Sequence, residues 1–129
     1  MDVAAHGEIV IKRQLEAVAE VRKFIRLTLG DWGVDDYTPC LVASELVSNA
    51  IRHACTADDD VTVRLGRLDD GALWIEVQDA TTEMPRIVDA ALSSESGRGL
   101  FVVEQLTRYW GVRPLANAAG KVLFAVLSP

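Results

Sequence analysis

The sequence predicts one α+β domain, a two-layer α/β sandwich with helices on one face of a mixed, largely antiparallel sheet. Three observations carry this. Two segments with apolar residues at helical spacing, about 14–29 and 41–54, come before any pair of long alternating segments. Residues 61–65 and 73–79 then alternate apolar and polar on either side of Asp69-Asp70-Gly71, as a β-hairpin does. A further helix and two further strands follow, so the order is (β)ααββ-loop-αββ. Helices and strands are grouped rather than strictly alternating, which stacks the helices on one side of the sheet.

In chain order, Gly7–Ile11 reads as a short first strand. Leu15, Val18, Val21, Ile25 and Leu29 define the first helix, with Gly30 as its stop. Asp31-Trp32-Gly33 is the turn, and Asp35-Asp36 caps the second helix at its positive end, with Pro39 where a helix start tolerates it. Residues 80–96 lose periodicity, apart from a short helical stretch at Ile87–Leu92, and suit a lid. Gly97-Arg98-Gly99 closes that stretch and opens a third helix, Leu100 to about Thr107. Tyr109–Val112 and Lys121–Leu127 are the last strands, joined by a turn at Asn117–Gly120.

At 129 residues the chain makes a single domain, 1–129, with enough core to fold without disulfides or metals. A net charge of −6 opposes direct nucleic-acid binding, which needs a basic footprint. No apolar run approaches the ~20 residues that span a bilayer, and Met1–His6 lacks the basic and apolar regions of a signal peptide. The expected location is the cytoplasm, without membrane contact. Cys40 and Cys55 flank one helix; fifteen residues at about 1.5 Å each put them roughly 22 Å apart, far beyond disulfide reach.

The second helix carries the first chemical signal. At about 100° per residue, Asn49, Arg52 and His53 lie within roughly 80° of Glu45, while Ala43, Leu46, Val47, Ala50 and Ile51 take the opposite arc. Polar residues opposite an apolar stripe are ordinarily a solvated surface. Here the flanking residues are small or apolar, Val42 and Ser48, and the set is not the Lys/Glu mixture of a solubilising face. A carboxylate one turn from an amide oxygen suits a hard cation such as Mg²⁺ and a base beside it. Asp79 ends an apolar strand face and needs a donor partner or a ligand. Gly97-Arg98-Gly99 at a helix start is a natural anion cradle, though glycine pairs in that position are more often loop punctuation.

In this order, Glu45-Leu46-Val47-Ser48-Asn49-Ala50-Ile51-Arg52-His53-Ala54, Asp79 and Gly97-Arg98-Gly99-Leu100 resemble the motifs of the GHKL ATPase superfamily, to which histidine-kinase catalytic domains belong. The nearest likeness is to bacterial anti-sigma-factor serine/threonine kinases of the switch-protein-kinase type, over roughly residues 8–127. The resemblance implies a Bergerat-type ATP-binding fold with ATP and Mg²⁺ as cofactors. It makes Glu45 the general base, Asn49 the Mg²⁺ ligand, and Arg52 and His53 neighbours of the phosphates or sugar. It makes Asp79 the adenine-reading acceptor and Gly97, Arg98, Gly99 and Leu100 the cradle of the triphosphate. Thr81 stands where the family's first glycine box has glycine, and so narrows the adenine pocket. Val122 takes the place of a last-strand threonine that helps bind adenine.

The implied activity is that of an anti-sigma factor: phosphorylation of an anti-sigma antagonist and sequestration of a sigma factor. A homodimer through the open sheet face or the first helix is compatible with the pattern. No phosphoacceptor histidine with a dimerising hairpin precedes the domain, which disfavours a complete histidine kinase. The alternative is a non-catalytic interaction module of GHKL fold whose nucleotide binding is weak or lost.

Overall fold

A computed structural model describes residues 3–52, 60–80, 95–115 and 120–128, with the backbone alone at 3, 4 and 95–100. Strands β1 (Val3–Lys12), β2 (Asp60–Leu68), β3 (Leu73–Asp79), β4 (Tyr109–Pro114) and β5 (Lys121–Leu127) form one sheet in the order β1-β2-β3-β5-β4. Every pairing is antiparallel. Helices α1 (Ala17–Trp32), α2 (Tyr37–Arg52) and α3 (Glu95–Leu106) complete the order read from the sequence.

Apolar periodicity explains the packing. In α1 the residues Ala17, Val21, Ile25 and Leu29 recur every four positions and are buried. In α2 Ala43, Leu46, Val47 and Ala50 are wholly buried, as the wheel requires, and Val42 joins them. They meet the inward residues of the central strands: Val61, Val63 and Leu65 of β2, Ile75 and Val77 of β3, Leu123 and Ala125 of β5. The two helices are also tied by polar bonds. Arg22 Nε donates to Ser44 Oγ at 2.9 Å, and that hydroxyl donates to the Cys40 carbonyl at 2.7 Å.

Several boundaries differ from the sequence reading; α1 starts at Ala17, which leaves Leu15 outside the helix and exposed. Helix α1 passes through Gly30 and stops at Gly33, whose φ of 69° only glycine adopts readily; Val34 N–H then closes on the Leu29 carbonyl at 2.9 Å. A glycine within a helix costs about 1 kcal/mol but does not end it. Strand β1 is twice the predicted length, because it pairs along the whole of β2 from Lys12↔Asp60 to Val3↔Leu68. Helix α3 begins at Glu95, so Gly97 and Gly99 lie in its first turns rather than ahead of it. The hairpin turn is as expected, with Gly71 at φ 87° and Ala72 N–H bonded to Asp70 Oδ1 at 2.9 Å.

The sheet face away from the helices is covered by its own side chains. Glu76, buried there, accepts from Arg113 Nη2 at 2.8 Å and Trp74 Nε1 at 3.0 Å, with Arg64 Nη1 at 3.5 Å. Trp74 lies over Gly66 and Phe124 over Gly111, where any side chain would collide with the rings. Among the described residues no helix is long and apolar enough to cross a membrane. The expected short helix at Ile87–Leu92, most of the lid, Cys55, His53 and Thr81 fall outside the described residues.

Candidate functional site

Helix α2 lies between α1 and α3 over the centre of the sheet, and it presents Glu45 and Asn49 one turn apart. Asp35 starts that helix: its Oδ1 accepts the Tyr37 N–H at 3.2 Å, one of the amides a helix start leaves without a partner. Glu45 is partly buried and Arg52, on the last turn, is exposed. Asn49 is only 3% exposed, and its Oδ1 is buried without a hydrogen-bond partner among the described residues. A buried amide oxygen left in that state costs roughly 1–3 kcal/mol, so it marks a place where a ligand is due. A neutral oxygen with a carboxylate one turn away is the donor set of a hard cation, and Asn49 with Glu45 therefore fits Mg²⁺. Among the described residues no cluster of three or more His, Cys, Asp or Glu forms an all-protein metal cage. Such a cage is not needed for Mg²⁺, which keeps water and phosphate oxygens.

Asp79 lies at the end of β3 on the face toward the helices, as its position in the alternation requires. Its partner is a residue the sequence reading did not single out. Lys121 Nζ donates to both Asp79 carboxylate oxygens, at 3.1 Å each, and the two side chains are 1% and 0% exposed. The register explains the meeting: Asp79 stands directly opposite Lys121, while Val122 stands opposite Gln78 and so on the other face of the sheet. The expectation that Val122 occupies the base-contacting place is corrected accordingly; the residue facing Asp79 is Lys121. A signal was present in the sequence. A lysine at an inward position of an otherwise apolar strand, Lys121–Leu127, demands a buried counter-charge.

Gly120 makes the approach possible. Its φ is 149°, a conformation other residues avoid, and a Cβ there would collide with the Asp79 carbonyl oxygen. The backbones of β3 and β5 thus close tightly just where the ion pair forms.

At the start of α3, the first four amides, about Glu95 to Arg98, have no carbonyl within the helix to bond. The expected cradle residues Gly97, Arg98, Gly99 and Leu100 span that turn and the next, and their side chains lie outside the described set. A groove of about 660 Å³ opens elsewhere, at the far end of the strands, between Thr38 and Pro39 of α2 and Gln105 and Leu106 of α3. None of the candidate residues lines it.

Helices α1, α2 and α3 on one face of a sheet ordered β1-β2-β3-β5-β4, with an acid and an amide on the middle helix, give the architecture of the GHKL type of ATPase domain. Comparison with known proteins agrees. The family model described as histidine kinase-like ATPase domain matches residues 11–125, and the chain belongs to that family. Among solved structures, the RsbU and RsbW domains of Rv1364c from Mycobacterium tuberculosis superpose with a TM-score of 0.72 at 20% identity. That match covers 96% of this chain but only 32% of the larger one. The histidine kinase domain of the Erythrobacter litoralis EL346 blue-light activated histidine kinase gives a TM-score of 0.52 at 16% identity, over 91% of this chain and 61% of that one. At these identities the likeness is one of fold. No curated protein sequence matches.

Proposed function

We propose that this chain is an ATP-binding regulatory protein, a serine/threonine protein kinase of the anti-sigma-factor type. In this reading it phosphorylates an anti-sigma antagonist, sequesters a sigma factor and works in the cytoplasm. The observation that carries the reading is the buried, unpartnered Asn49 Oδ1 one turn from Glu45. Membership of the histidine kinase-like ATPase family and the fold likeness to the RsbU–RsbW chain support it.

The roles follow from position. Asn49 would hold Mg²⁺ through its amide oxygen, and the ion, when bound, supplies neutralisation of charge on the phosphates. Glu45 would accept the proton of the substrate hydroxyl, which needs a carboxylate within hydrogen-bond reach of it. The amides at the start of α3 would hold phosphate oxygens, with the helix dipole in support. Asp79 would receive the exocyclic amine of adenine.

The second reading is a protein-interaction module with nucleotide binding weakened or lost. One observation favours it: Asp79 is already neutralised by Lys121. Calorimetric titration with ATP–Mg²⁺, followed by labelled-phosphate transfer to a candidate antagonist, separates the two. Binding with transfer supports the kinase. Binding of the partner alone, with no transfer and no nucleotide, supports the module.

A further inference from the structure

The Asp79–Lys121 pair is buried end to end, so it is not a surface ion pair formed by two long side chains meeting in water. For comparison, the Lys12–Asp60 contact at 3.0 Å joins side chains 71% and 50% exposed. Lys121 reaches Asp79 with equal 3.1 Å bonds to both oxygens, from the strand position directly opposite. Gly120 fixes the backbone that delivers it.

We infer that Lys121 determines the affinity and base selectivity of the nucleotide site, acting as an internal competitor for the Asp79 carboxylate; the inference rests on Asp79 being the base-reading group of the proposed ATP site. Two consequences follow. A carboxylate that stands alone is a charged acceptor for an exocyclic amine, and hydrogen bonds to charged groups are roughly twice as strong as neutral ones. With an ammonium across both oxygens, the incoming amine meets a group whose charge is compensated, so ATP binds about tenfold more weakly than an uncompensated aspartate would allow. Selectivity also narrows. A lone carboxylate repels the carbonyl oxygen that guanine carries in place of the adenine amine. A carboxylate with an ammonium beside it does so far less, because the positive charge offsets the negative one. ATP and GTP should therefore bind within about tenfold of each other.

The test is calorimetric titration of the full chain with ATP–Mg²⁺ and with GTP–Mg²⁺, on wild type, Lys121→Gln and Lys121→Thr. Both variants keep a neutral donor for Asp79. The expected result is ATP binding tightened about tenfold in each folded variant, GTP binding unchanged or weaker, and the gain lost in Asp79→Asn/Lys121→Gln. Circular dichroism melts establish which variants are folded. The wild-type ATP-to-GTP ratio tests the inference even if neither variant folds, and a wild-type preference for ATP above about a hundredfold overturns it. Folded variants that bind ATP no tighter than wild type also overturn it, while leaving the ATP-binding reading intact. Failure of every folded protein to bind either nucleotide overturns both.

Discussion

Removing one partner of the buried pair should cost the fold more than any surface change of equal size. In Asp79→Asn the shape is kept, but the Lys121 ammonium, 1% exposed, loses its counter-charge. Breaking a buried ion pair in this way costs about 3–5 kcal/mol, a large share of the roughly 5–15 kcal/mol that holds a domain together. Lys121→Met should cost a similar amount by taking the ammonium away from the buried aspartate. For a chain of this length that corresponds to a fall in Tm of roughly 10–20 °C. The double variant Asp79→Asn/Lys121→Met carries neither charge of the pair and should recover at least half of the loss. Urea unfolding of all four proteins gives the coupling energy, expected above about 2 kcal/mol. Lys12→Met, at the exposed pair with Asp60, is the control and should move stability by less than about 1 kcal/mol. Additive single losses below about 1 kcal/mol would refute the reasoning, since they would mean water reaches the pair. The same magnitudes show why Asp79→Asn is a poor probe of adenine binding: it removes fold stability together with the contact.

Further outcomes can be checked on the same protein. Glu45→Ala should leave ATP affinity within a few-fold while phosphoryl transfer falls roughly 10²–10⁴, the usual contribution of a placed base; equal loss of both would make Glu45 a binding residue. Asn49→Ala should abolish the Mg²⁺ dependence of ATP binding in calorimetry, since it removes the buried, unpartnered amide oxygen proposed to hold the ion. Gly120→Ala should destabilise by about 2 kcal/mol or more in urea, because the new methyl meets the Asp79 carbonyl in a backbone conformation alanine avoids. Burial, reinforced by Asp36, pushes the Cys40 thiol up, against the opposing pull of Arg26 and Arg22. It should stay protonated near pH 8, and peptide mass spectrometry should find it alkylated many-fold more slowly than in urea. The sign follows from the raised folded value: this group's contribution to stability is complete below the unfolded thiol's pKa and is lost as pH rises toward the folded one.

The fold was legible in the sequence because its signals are local. Alternation in 61–65 and 73–79, the Asp-Gly turn between them and the helical spacing of Val18, Val21, Ile25 and Leu29 each depend on one element's own period. The pairing of Glu45 with Asn49 was equally legible, since helix geometry alone puts residues four apart on one face. What tertiary structure decided is whatever depends on two elements at once. The end of α1 at Gly33 rather than Gly30 was settled by which glycine takes the left-handed conformation, a choice composition leaves open. Burial of Asn49 Oδ1 depends on how α2 packs between its neighbours. Most of all, the register of β5 against β3 decided that Lys121 faces Asp79 and Val122 does not. A slip of one residue would send both to opposite faces, and no property of either strand read singly determines that register.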